Sequence, residues 1–143
     1  MSEKRAVVIY FPVSPHVYKY LQKKVGEKLV VTKQNFYGNL VLDILSKQSY
    51  YSPVVEDDLQ FPVEISVRYM TEFGFSINAR IFRKFNTQID HIFREEMRSY
   101  VSVCHEANKI QKKEALHQFL VSFNIDEEDI KLETLLKDLV RKI

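Results

Sequence analysis

Four histidines, one cysteine and a short run of carboxylates are the residues of this chain best suited to chemistry. His16, His91, His105 and His117 have no histidine partner four residues away, and there is no HExxH. Glu95 follows His91 by one helical turn, the ordinary spacing of an exposed helix pair. Cys104 and a distant histidine would make a nucleophile and base. The thiol falls on an apolar stripe, however, where a buried structural cysteine is the simpler reading. Asp57-Asp58 offers two carboxylates for a metal or for acid–base work, with no third ligand at a recognisable spacing. Serine has no GxSxG context, and three glycines among 143 residues leave no phosphate loop of the GxGxxG or GxxxxGK[ST] kind. No catalytic set assembles, so the chain reads as a non-enzyme with no metal and no cofactor.

Charge is the more informative feature once it is divided along the chain. The net charge is +2. Residues 1–50 carry eight Lys or Arg against three acids, whereas residues 51–76 carry five acids against Arg68. A basic N-terminal third attracts polyanions. Lys19, Lys23, Lys24, Lys28 and Lys33, with Tyr18 and Tyr20 interleaved, are the candidate nucleic-acid contacts, and Arg80, Arg83 and Lys84 could extend the patch. The competing reading is the wet side of an ordinary helix.

These residues must be positioned by a mostly helical α+β fold. A small two- or three-stranded sheet is expected, packed by about five helices, one of them long (77–106), with a C-terminal helical hairpin. Arg5–Phe11 reads as a strand buried on both faces, because its apolar run does not alternate, and Pro12 ends it. Ser14-Pro15 opens a helix that Gly26 ends. Residues 28–31 form a strand stub. Thr32 caps a second helix through Ser46, in which Gly38 predicts a close helix crossing. Val63–Tyr69 alternates like a strand with one wet face. Gly74 turns the chain, and Ser76 caps the long helix, whose stripe runs from Ile77 to Cys104 in steps of four. That length exceeds the needs of a small core, so part of the stripe is expected to meet another chain. Helices at about 110–123 and 127–142 follow. The chain is expected to form one domain over 1–143: a basic strand-helix-helix part (1–47), an acidic loop (48–61), a strand plus long helix (62–107) and the hairpin (108–143). Its apolar runs are too short to cross a bilayer and no signal segment leads it, so a cytoplasmic setting without membrane contact is expected.

The hairpin is a poor DNA reader as a helix-turn-helix, since Asp126-Glu127-Glu128-Asp129 would face phosphate. The strand, capped helix and second capped helix over Val7–Phe11, Ser14–Val25 and Thr32–Ser46 resemble the element order of ribbon-helix-helix repressors. Base readout does not carry over, because this strand offers only apolar residues and Tyr10. Phe119-Leu120, Ile125–Ile130 and Glu133-Thr134-Leu135 with Asp138 and Arg141 are similar to the ends of short phage and mobile-element proteins of Bacteroidetes. That similarity implies a setting and no activity. The expected function is a self-associating, non-catalytic nucleic-acid-binding accessory protein of a phage or mobile element. The alternative is a protein-interaction or structural module, such as a phage component or an inhibitor of a host protein.

Overall fold

A computed structural model describes residues 5–46, 59–73 and 79–141. Among them the elements run β1 (Ala6–Val13), α1 (Pro15–Val25), β2 (Leu29–Val30), α2 (Phe36–Ser46), β3 (Leu59–Ser66), α3 (Val67–Phe73), α4 (Ala79–Asn108), α5 (Lys112–Ser122) and α6 (Leu132–Arg141). The fold is mostly helical α+β with a small mixed sheet. The acidic stretch 48–58, the turn at Gly74, the cap at Ser76 and Ile77 lie outside the described residues.

The sheet has the order β1-β3-β2, with β1 antiparallel and β2 parallel to the central β3. Phe11 stands opposite Phe61 and Ile9 opposite Val63. Phe11, Val13, Phe61, Val63, Ile65 and Leu29 are buried under the helices. Alternate residues point the other way. Val8, Tyr10 and Val30 on that outer face are exposed. β1 is therefore not buried on both faces; it is an edge strand with one open face, and its unbroken apolar run misreads as double burial.

Hydrogen bonds at the strand ends fix the ladder's parity. Val67 N–H donates to Arg5 O (2.9 Å), and Val31 N–H donates to Glu64 O (2.9 Å). Odd residues of β1 thus bond to β3, and even residues aim their amides at the open edge. Pro12 sits at an even position, where a missing N–H costs the ladder nothing. Pro62 faces the β2 side of β3, but β2 pairs only with Val63 and Glu64. The strand can therefore run through Pro62 back to Leu59, earlier than its alternation suggests.

Three helix boundaries depart from expectation for local reasons. Asn35, not Thr32, caps α2: its Oδ1 accepts from Tyr37 N–H (2.9 Å) and Gly38 N–H (3.1 Å). Residues 67–69 leave the sheet and enter α3, a sixth helix, with Ser66 Oγ accepting from Tyr69 N–H (3.3 Å). Glu127–Ile130 form a turn, and α6 starts only at Leu132. Gly38 does make a close approach, though to backbone and not to a helix. A Cβ there would stand 2.6 Å from Thr32 N and 2.9 Å from Thr32 O.

The long helix spans about 45 Å at 1.5 Å per residue. Its stripe of Ile81, Phe85, Ile89, Phe93, Met97, Val101 and Cys104 is buried within the chain, while Tyr100 and Val103 on the same helix are exposed. Phe85 meets Phe11 edge-on (5.1 Å), and Phe93 lies among His16, Tyr20 and Phe119. Cys104 is a free, buried thiol. No described helix is long and apolar enough to cross a membrane.

Candidate interaction surface

Three of the six described cations of the N-terminal third are answered by acids that the fold brings to them. Lys19 pairs with Asp129 (2.7 Å), Lys24 with Glu96 (3.1 Å) and Lys28 with Glu64 (2.5 Å). The hydrogen bond to Asp129 holds the Lys19 ammonium above its ordinary pKa. Burial opposes ionisation of Asp129, but the Lys19 bond and the backbone N–H of Asp126 bring its carboxyl below the usual range. The acids expected at a helix N-terminus thus form a self-bonded turn. Asp126 Oδ1 accepts from Glu128 N–H (2.9 Å), Asp129 Oδ2 accepts from Asp126 N–H (3.0 Å), and the Glu127 carboxylate accepts from Leu132 N–H (3.0 Å).

The interleaved tyrosines are not free for stacking. Tyr20 is fully buried and donates to Glu96 (2.8 Å); burial first, then its bonds to Tyr37 and Glu96, pushes its hydroxyl pKa far up. Tyr18 packs edge-on against Phe61 (5.4 Å). Lys24 lies over the rings of Tyr20 and Phe123 (5.5 and 5.8 Å), a cation–π contact internal to the chain.

The second group of expected contacts lies elsewhere. Ser14 N–H donates to Asn86 Oδ1 (2.9 Å), Asn86 Nδ2 donates back to Ser14 Oγ (3.0 Å), and His16 meets Asp90, so α1 and α4 run side by side in one direction. Lys23 follows Ser14 by nine residues and Arg83 precedes Asn86 by three, which separates them by about 18 Å along the helices. Lys33 lies in the turn after β2, and Arg80 and Lys84 share the start of α4 with Arg83. Lys23 and Arg83 thus stand well apart along the paired helices, and Lys19, Lys24 and Lys28 are already held by carboxylates. Lys23, Lys33, Arg83 and Lys84 make no ion pair with a described residue.

A buried polar chain links α1, α4 and α6. His16 Nε2 bonds Asp90 Oδ1 (2.6 Å), Arg94 Nε donates to Asp90 Oδ2 (2.9 Å), and Arg94 and Arg98 both reach Asp138 (3.3 and 3.0 Å). Burial disfavours the Asp90 anion, yet the His16 bond and the Arg94 charge outweigh it and hold its carboxyl below the usual range. A histidine oriented by an aspartate has the geometry of a base. Here the ring is buried, its Nδ1 has no partner among the described residues, and the pair ties α1 to α4. Among the described residues no three His, Cys, Asp or Glu side chains gather as a metal site would require. The sequence signal for this chain was Asp90, Arg94 and Arg98 at successive turns of one helix; nothing local pointed to Asp138.

What remains unpartnered is β1. Ala6, Val8 and Tyr10 aim N–H and C=O groups at an edge that no described strand pairs. The same residues, with Val30, present an outer sheet face that no described helix covers. Tyr10 is 57% exposed and Val8 42%. The eight residues of β1 carry no charge, whereas protein edge strands usually place lysine or another charge there to prevent pairing. In comparisons with family models, curated proteins and solved structures, nothing matches this chain.

Proposed function

We propose that the protein is a non-catalytic interaction module that uses β1 as its docking element and pairs in the first instance with β1 of a second copy. The single observation behind this reading is the uncharged open edge, with donors and acceptors at Ala6, Val8 and Tyr10. Backbone edges of this kind are satisfied by an added strand. An antiparallel two-fold centred on Val8 sets Val8 against its symmetry mate and Ala6 against Tyr10. Every outward amide of those residues then finds a carbonyl, and Pro12 falls outside the paired stretch. The two Arg5 side chains lie at opposite ends of such a ladder, which avoids like-charge repulsion. Light scattering at tens of micromolar is expected to show a dimer, and Val8→Lys is expected to give a folded monomer. A wild-type monomer at that concentration removes the reading.

Nucleic-acid binding is the second reading, in the phage or mobile-element setting that the resemblance of the C-terminal segment implies and in the cytoplasm. It rests on Lys23, Lys33, Arg83 and Lys84, which have no described acidic partner. Anisotropy with duplex and single-stranded probes tests it: affinity should fall with a log–log salt slope of roughly 0.7–0.9 per phosphate contacted. No binding at low salt contradicts it.

A further inference from the structure

A cleft of about 680 Å³ opens outside the carboxyl ends of the parallel strands β2 and β3. Open sheets place ligands at this end of parallel strands, and the volume lies within the range of small-molecule sites. Its apolar lining comes from Ala6, Val30 and Val67. Two arginines, Arg5 and Arg68, are among its lining residues. Arg5 begins β1 directly beside Val67, whose N–H it receives (2.9 Å), and Arg68 follows Val67 at the start of α3. Both are exposed, and neither pairs with a described carboxylate. The one acid in the lining, Glu64, is already held by Lys28 (2.5 Å). The cleft therefore keeps two positive charges with no carboxylate partner among the described residues, beside an apolar floor.

We propose that this cleft binds a small organic phosphate, its phosphoryl group on Arg5 and Arg68 and its apolar body on Val30 and Ala6. Charge selects the class. A phosphate monoester near neutral pH carries close to two negative charges and accepts in the planar, bidentate manner that arginine donates. A carboxylate brings half that charge and leaves one guanidinium unanswered. The volume also exceeds the needs of bare phosphate, which is why an organic body belongs to the assignment. The site is independent of strand pairing at β1, because its charged groups lie beyond the end of the ladder.

The test uses the full chain and three probes: phenyl phosphate, inorganic phosphate and benzoate, followed by calorimetry and by amide chemical shifts. Phenyl phosphate is expected to bind one per chain, shifting the amides of Val30, Thr32, Ser66 and Tyr69. It should bind at least about tenfold more tightly than either other probe. Arg5→Gln and Arg68→Gln should each weaken it about tenfold with an unchanged melting temperature, since both side chains are exposed. Val30→Trp, which fills the floor, should weaken phenyl phosphate more than inorganic phosphate. Equal affinity for benzoate overturns the phosphate assignment, and equal affinity for inorganic phosphate overturns the organic body. Phenyl phosphate binding that both arginine variants leave unchanged overturns the site.

Discussion

Asp138 stands between two guanidinium groups of the neighbouring helix, and its loss would strand both. Removing one partner from a buried ion pair costs about 3–5 kcal/mol, but Arg94 and Arg98 are about a quarter exposed, so water recovers part of this. Asp138→Ala is expected to lower stability by about 2–3 kcal/mol in urea unfolding, more than a surface pair would. Asp90 gives the same chain a pH signature. Its folded carboxyl titrates below the ordinary aspartate value, so the stabilisation is complete above that value and is lost as pH falls through the folded pKa. Urea midpoints should therefore drop on acidification below about pH 4 in the wild type, with a visibly smaller drop in Asp90→Asn. Gly38 makes the opposite kind of demand. Alanine would gain roughly 1 kcal/mol of helix propensity, but its Cβ would meet the Thr32 backbone, which no side-chain rotation relieves. Gly38→Ala is expected to destabilise by about 2 kcal/mol or more; a more stable variant would show that the 31–32 segment yields freely.

At the scale of elements, the long periodic helices were legible and the short-range competitions were not. Ile81 to Cys104 reads as one stripe in the sequence and is one stripe in the fold, because thirty helical residues average out local noise. Ser14, Pro15 and Gly26 likewise mark α1 where it lies, although Ser14 Oγ turns to Asn86 and not to its own helix. Boundaries failed where two residues compete for one role. Thr32 reads as the cap of α2, whereas Asn35, three residues on, makes the capping bonds to the Tyr37 and Gly38 amides. Asp126 to Asp129 favour a helix start by charge, yet their short side chains bond the turn's own amides, and Lys19 from α1 holds the last of them. That cross-link has a cost if broken. Lys19→Met should destabilise by about 1 kcal/mol in urea unfolding, and Lys23→Met, with no acid to lose, should change little. The candidate site suffered most from this limit. A list of lysines says nothing of which acids will arrive from Glu64, Glu96 and Asp129, because those contacts close only in three dimensions.

At the scale of the whole molecule, helices cover one face of a three-stranded sheet, and no described element covers the other. The burial pattern of β1 follows from this asymmetry: Phe11 and Val13 are buried, Phe11 against α4, while Val8 and Tyr10 on alternate positions are exposed. A continuous apolar strand is the sequence of a strand with neighbours on both faces. In this chain no described element covers the outer face, and the proposed second copy continues the sheet at the β1 edge. The ladder's parity makes that claim separable amide by amide. Odd-numbered amides, those of Ile9 and Phe11, bond to β3 in a single chain, whereas those of Ala6, Val8 and Tyr10 bond only across the proposed two-fold. Hydrogen exchange followed residue by residue at two protein concentrations reads both sets together. Protection of Val8 and Tyr10 is expected to rise with concentration while that of Ile9 and Phe11 stays high throughout. Fast exchange at Val8 and Tyr10 at every concentration, beside protected Ile9 and Phe11, would contradict a strand on the β1 edge.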